Sequence, residues 1–299
     1  MSDNIKTIIA TMRLPFVLLT PACLLLGYAF VLFDGYSVDS LDFSLVLIAG
    51  LAAHISANVY NEYFDFKSGL DFTTQVTPFS GGSGSLPANP DAAPQALLLA
   101  NSTLIITALI GLYFIYLHGW TIAPLGILGL IIIVTYTTYI TQHPILCLIA
   151  AGLGFGPLMI NGAYFALTGQ YSMAVALVSL IPFFLVNNLL LLNQYPDIKA
   201  DQENGRYHIL IAWGVNTSNK IFYLLYGLTY LTLILLVLFN IVPMMGLIGL
   251  ITIIIAFKVI LEIHKYSDDS LKLLPAMGMN VAVNILTPVL IGLGIIWAV

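Results

Sequence analysis

Apolar residues in this chain come in runs of about 20, the length that crosses a bilayer as a helix, and polar residues collect in the gaps. Nine spans are predicted, at 14–33, 43–64, 94–117, 120–140, 144–168, 172–194, 220–240, 243–262 and 276–298. The long polar connections are 65–93 and 195–219, with a shorter one at 263–275. Strands of a membrane barrel alternate apolar and polar positions over about ten residues, and these runs do not. Inside lipid the backbone must then satisfy itself as helix. The predicted fold class is an all-α membrane protein, a bundle of nine transmembrane helices forming one domain over residues 1–299. The fourth and fifth spans are predicted to meet in a tight turn at Gln142-His143-Pro144, because proline disfavours helix in the residue before it.

Composition agrees: 60% of residues are apolar and 8% charged, where a soluble domain carries about 25% charged residues. Cys23 and Cys147 both fall inside apolar runs and read as small buried hydrophobes rather than a disulfide or metal pair. The first run, Leu14 to Phe33, lacks an evident cleavage site and reads as a span rather than a signal peptide.

The placing of charge says more than its sum. On the nine-span scheme all nine basic residues fall on one side: Lys6, Arg13, Lys67, Lys199, Arg206, Lys220, Lys258, Lys265 and Lys272. The other side has Asp34, Asp39, Asp42 and His118. The positive-inside rule puts the N-terminus and both long loops in the cytoplasm and the C-terminus outside.

Two acidic segments stand on that basic side, NEYFDFKSGLD at 61–71 and NQYPDIKAD at 193–201. They share N-x-Y-x-D-x-K, lie 132 residues apart, and four predicted spans separate them. That echo suggests two duplicated four-helix units followed by one extra helix. Asn61 and Asp65 are four apart and share a helix face, with Asn58 three before Asn61 on the same stripe. Gly69 is placed to end the helix and let Asp71 turn back. Asn193, Asp197 and Asp201 repeat at four-residue steps, with Pro196 expected to kink or restart the helix. Each cluster offers two carboxylates and an amide, hard oxygen ligands suited to Mg²⁺ with phosphate oxygens and water. Lone acids at helix ends are ordinary interface residues, since the bilayer centre costs an ionised Asp about 2.5–3.5 kcal/mol. Two matched clusters on one side are better explained by a shared metal site. The metal candidates are Asp65, Asp71, Asp197, Asp201 and Asn61, and those four aspartates are the catalytic candidates.

Lys67, Lys199 and Arg206 stand beside the acids, either to hold diphosphate oxygens or as topology signals. Gly81, Gly82 and Gly84, in the stretch from Thr77 to Asp91, suit an anion-binding nest or lid, or a flexible connector. His54, Asn58, Asn161, Asn187 and Asn188 would face the bundle interior. Tyr136 and Tyr139 either line a pocket, shielding a cation by cation–π contact, or belong to an interfacial belt.

These residues resemble a family. Asn61, Asp65 and Asp71, with Asp197 and Asp201, follow the second and sixth of nine predicted helices and are similar to the two Asp-rich motifs of the UbiA superfamily of intramembrane prenyltransferases. RLPF, NEYFDFKSGLD, PFSGGSGSLP, FGPLMINGAYFALTG and NQYPDIKADQENG resemble the branch that prenylates 1,4-dihydroxy-2-naphthoate in menaquinone synthesis. The resemblance implies a single transmembrane prenyltransferase domain in a bacterial inner membrane. It implies Mg²⁺ as cofactor and a polyprenyl diphosphate held by both motifs. That substrate ionises, and its carbocation alkylates an aromatic acceptor. Asn58, Asn61, Lys67, Asn193, Lys199, Arg206, Tyr136, Tyr139 and His143 are the substrate-binding candidates. The implied partners are the diphosphate, the aromatic acceptor and membrane lipid; nucleic acid is not expected, and no protein partner is indicated.

The chain departs from that pattern in three places. Glu62 stands where relatives carry Asp. GRYHILIAWG keeps Arg206 but has Tyr207, His208 and Ala212 instead of the usual basic cluster. YTTYITQHPILCLIAAG lacks the basic residue and Glu that relatives place after the fourth span, so either His143 substitutes or the acceptor differs. Other UbiA acceptors are hydroxybenzoate, homogentisate, a tetrapyrrole or a lipid alcohol. A CDP-alcohol phosphotransferase is disfavoured because Asp34-Gly35 is on the wrong side. A transporter would carry ionisable residues near mid-membrane, and here they cluster at one surface.

Overall fold

The computed structural model describes residues 3–299. It is helical, with no strand among the described residues. The chain opens with α1 (Asp3–Thr11), α2 (Leu14–Val17) and α3 (Leu19–Phe33), broken at Arg13, whose φ of 51° is left-handed. The long α4 (Ser40–Ser68) follows, then a loop carrying the short α5 (Ser85–Ala88), then α6 (Ala93–His118) and α7 (Ala123–Thr135). Helices α8 (Pro144–Leu153) and α9 (Met159–Thr168) are joined by a wide turn at Gly154–Leu158, where Pro157 supplies no N–H to the ladder. The second half comprises α10 (Met173–Val178), α11 (Leu180–Asn193), the short α12 (Ile198–Glu203), α13 (Ile209–Leu238), α14 (Ile253–Tyr266) and α15 (Leu274–Trp297).

Among the described residues, eight helical segments are long and apolar enough to cross a membrane. The expected count of nine is not reached by that measure. The segment predicted at 120–140 is a shorter apolar helix, Trp120–Thr135. At about 1.5 Å per residue it is about 24 Å long, against a hydrocarbon core of about 30 Å. It gives way to a turn at Ile140–Gln142 that apolar content alone does not reveal. Its start lies beside Tyr171, whose hydroxyl donates to the Thr121 carbonyl at 2.8 Å. Its exit lies beside the second motif, where the Tyr207 amide donates to the Thr141 carbonyl at 2.9 Å.

Within the bundle α4 packs along α6, α3 along α15, and α11 against both α8 and α13. Between membrane helices the close approach of small residues supplies much of the attraction. A Cβ on Gly156 would stand 2.5 Å from the Ser179 carbonyl oxygen. Buried polar side chains link helices: His54 meets the Thr20 hydroxyl at 2.9 Å, Asn187 accepts from the Gly152 amide at 2.8 Å, and Asn188 donates to the Phe222 carbonyl at 3.0 Å.

The two N-x-Y-x-D-x-K segments differ in conformation. Asn61 to Lys67 is unbroken helix at the end of α4, closed by Gly69 at φ 90°. The second copy breaks after Asn193, turns through Pro196 and restarts as α12.

Candidate active site

Both motifs face one cavity of about 610 Å³. Its polar end is formed by Asn58, Asn61, Asp65, Asp71, Asn193, Asp197, Asp201, Arg206 and His208, with Arg13 beside them. The remainder is apolar and includes Val46, Ile110, Phe114, Ile122, Leu130, Phe155, Leu158 and Ala163.

Helical spacing builds the first motif. Asn61 donates to Asp65 Oδ2 at 2.9 Å, and Asn58 donates to the Met12 carbonyl at 2.9 Å, tying α4 to the N-terminal helices. The left-handed turn at Gly69 returns the chain so that Asp71 is buried beside Asp65. In the second motif Asp201 is buried on α12, and Arg206 reaches back from the following turn. Its guanidinium bridges the motifs: Nη2 pairs with Asp65 Oδ1, and Nη1 with Asp201 Oδ1 at 3.1 Å. His208 Nε2 lies 3.1 Å from the other Asp201 oxygen.

Above the acids lies the loop from Thr73 to Gly84. Gly81, Gly82 and Gly84 all have positive φ, of 74°, 70° and 66°. The Gly81 amide donates to Asp197 Oδ2 at 3.1 Å, and Arg13 donates to the Phe79 carbonyl at 3.3 Å. The Arg13 guanidinium also stands 4.9 Å from the Phe16 ring centre.

Burial drives the electrostatics. It pushes the Asp71 carboxyl up to about 8, with the charges of Asp65 and Glu62 adding to the effect. Burial, with Asp201 beside it, raises Asp197 to about 7. Asp71 Oδ2, Asp197 Oδ1 and Asn193 Oδ1 are buried without a hydrogen-bond partner. Unpaired buried oxygens are costly, and a hard divalent cation satisfies such a set. The residues therefore fit Mg²⁺. Among the described residues no three His, Cys, Asp or Glu side chains converge into a ready cation cage. Water or the oxygens of a bound ligand would complete the coordination.

Four of the expected substrate residues lie away from the cavity. Lys67 is exposed, 5.8 Å and 5.9 Å from the Tyr63 and Phe66 ring centres. Two residues along a helix from Asp65, it faces the opposite way. Lys199, between Asp197 and Asp201, is turned out for the same reason, with its side chain 90% exposed and 4.0 Å from Glu203. Tyr139 and His143 sit on the outer side of the turn, rings 4.4 Å apart, with His143 Nδ1 held 3.0 Å from the Tyr139 carbonyl. Tyr136 does line the cavity, as does Cys147, whose sulfur accepts from Gln194 at 3.3 Å.

The structure adds Arg13, Glu62, Ser83 and His208 to the site's surroundings. Glu62 was visible in the sequence only as the acid that stands where relatives carry Asp; its partner Ser83 was not.

Residues 18–284 match the UbiA prenyltransferase family. The chain belongs to that family. It is 31% identical over 194 residues to a 1,4-dihydroxy-2-naphthoate octaprenyltransferase of Bacillus subtilis (strain 168), a match covering 64% of this chain and 60% of that protein. Among solved structures it resembles a UbiA homologue from Aeropyrum pernix K1 in its apo form, at TM-score 0.70 and 18% identity, covering 93% of this chain and 97% of the other. A UbiA homologue from Archaeoglobus fulgidus, bound to DMAPP and Mg²⁺, superposes at TM-score 0.61 and 17% identity, covering 95% and 99%.

Proposed function

We propose that this protein transfers a polyprenyl group from an allylic polyprenyl diphosphate to 1,4-dihydroxy-2-naphthoate at the cytoplasmic face of a bacterial inner membrane. The observation that carries the reading is one cavity that has both acidic motifs at its polar end and an apolar body behind them. That division matches a substrate with a diphosphate head and a hydrocarbon tail. The naphthoate acceptor is the one named for the Bacillus subtilis relative.

In this reading Asp71, Asp197 and Asn193 present their unpaired oxygens to the cation that accompanies the diphosphate, with Asp65, Asp201 and Asn61 beside them. Bound Mg²⁺ would supply positive charge for the departing diphosphate. Arg206, fixed between Asp65 and Asp201, keeps the two motifs at a constant separation. The C–O bond of the ester breaks, diphosphate leaves with the electron pair, and the allylic cation is attacked by a ring carbon of the acceptor. The new C–C bond forms at the carbon bearing the carboxylate, which departs as CO₂. The apolar wall keeps water from the cation, and the Tyr136 ring lines the same space.

A second reading, another UbiA acceptor, is favoured by one observation: His143 lies outside the cavity. Arg13 is then the cavity cation left for an acceptor carboxylate, since Arg206 is committed to two aspartates. A prenylation assay decides between the readings. The purified protein in detergent would receive Mg²⁺, geranyl or farnesyl diphosphate and a panel of aromatic acceptors, with products detected by mass. A prenylated, decarboxylated naphthoquinol is expected. Diphosphate release without it would move the search to other rings or lipid alcohols.

A further inference from the structure

Glu62 is a buried acid with no part in the mechanism above. Its side chain is 0% exposed, yet it does not line the cavity. The Ser83 amide donates to its two oxygens at 2.8 and 3.1 Å, and the Ser83 hydroxyl donates at 2.6 Å. Arg13 Nε stands 3.9 Å away, beyond hydrogen-bond reach. Two residues before Ser83, the Gly81 amide holds Asp197 Oδ2 at 3.1 Å. The segment between these anchors accepts only glycine. A Cβ on Gly81 would stand 2.5 Å from the Gln75 carbonyl oxygen, and one on Gly82 3.0 Å from Asp71 Oδ1. The Gly81 bond engages one oxygen of Asp197 and leaves Oδ1 buried and unpartnered.

We propose that Glu62 is a positioning residue for the second motif. Through Ser83 it pins the glycine turn, and through the Gly81 amide it aims the free oxygen of Asp197 at a divalent cation. An acid in the first motif thereby orients a ligand in the second, by way of the loop. The proposal rests on the reading of Asp197 as a cation ligand. Outer-shell groups that orient a ligand change metal affinity by about 10–100-fold when removed.

The test is Mn²⁺ binding to the full-length protein in detergent, followed by electron paramagnetic resonance, beside KM and kcat for farnesyl diphosphate. E62A is expected to weaken Mn²⁺ binding by about 10–100-fold and to raise KM more than it lowers kcat. S83A, which keeps the backbone N–H, should weaken binding by less. E62Q should hold Mn²⁺ within about threefold of wild type, because an amide oxygen still accepts from Ser83. E62D, shorter by about 1.5 Å, should fall with E62A. In an Asp197→Ala background E62A should cause no further loss, as expected of two positions acting through one contact. If E62A does not fold, S83A and the contrast between E62Q and E62D decide the matter. Tight binding by E62D with loss in E62Q would make Glu62 itself a ligand and overturn the proposal. Unchanged binding in E62A and S83A, with loss in Asp197→Ala, would remove the relay alone. Equal binding by wild type and Asp197→Ala would remove the underlying reading, and the relay with it.

Discussion

At the scale of single residues the site divides into carboxylate oxygens that are already engaged and oxygens that are free. Asp65 and Asp201 are held by Arg206, Asn61 and His208, whereas Asp197 Oδ1 and Asp71 Oδ2 have no partner. Asp197→Ala should therefore abolish turnover while leaving the melting temperature close to wild type. Near-normal turnover would remove the metal-site reading. Arg206→Met should behave differently. Taking one member from a buried ion-pair set costs about 3–5 kcal/mol, so a lower melting temperature is expected together with lost activity. The raised carboxyls add a pH dependence. Below pH 7 both Asp71, raised to about 8, and Asp197, raised to about 7, hold protons that a cation must displace. Mg²⁺ should stabilise the protein more at pH 8.5 than at pH 6, as read by thermal shift. A larger Mg²⁺ shift at pH 6 would contradict this assignment of the free oxygens.

At the scale of helices and loops, close contacts rather than hydropathy set the geometry that holds the cavity. Gly156, in the wide turn between α8 and α9, faces α11 so closely that an added Cβ would stand 2.5 Å from the Ser179 carbonyl oxygen and 2.8 Å from the Phe183 amide nitrogen. Gly156→Ala should destabilise by about 1–3 kcal/mol through overpacking. Gly162→Ala, where nothing lies within 4 Å, serves as the control and should melt like wild type. The helices themselves were legible from apolar run length, and the paired acids from their spacing. The break after α7 was not, because its exit remains largely apolar and aromatic through Ile140. Lys67 and Lys199 are near the acids in sequence but not in space, because a two-residue step on a helix points elsewhere. The contact between Glu62 and Ser83 joins residues 21 positions apart through an irregular loop, and no periodicity announces such a pairing.

For the whole molecule, the two ends of the bundle differ in charge. Arg13, Arg206 and the motif acids gather at one end. At the other, Asp34 accepts from the Tyr164 hydroxyl at 2.6 Å and Asp42 from the Tyr113 hydroxyl at 2.9 Å. Lysines and arginines are retained on the cytoplasmic side of a membrane, so the site end should face the cytoplasm, the side from which the proposed aromatic acceptor would arrive. Both native cysteines, Cys23 and Cys147, are buried, which leaves the background clear for labelling introduced thiols. Ser37 and Gln75 are exposed and belong to loops at opposite ends. On intact cells a membrane-impermeant maleimide should modify Ser37→Cys at once and Gln75→Cys only after permeabilisation. The reverse pattern would put the acidic motifs outside the cell. A reaction fed by cytoplasmic substrates would then be untenable, even if the chemistry at Asp197 and Asp71 survived every residue-level test.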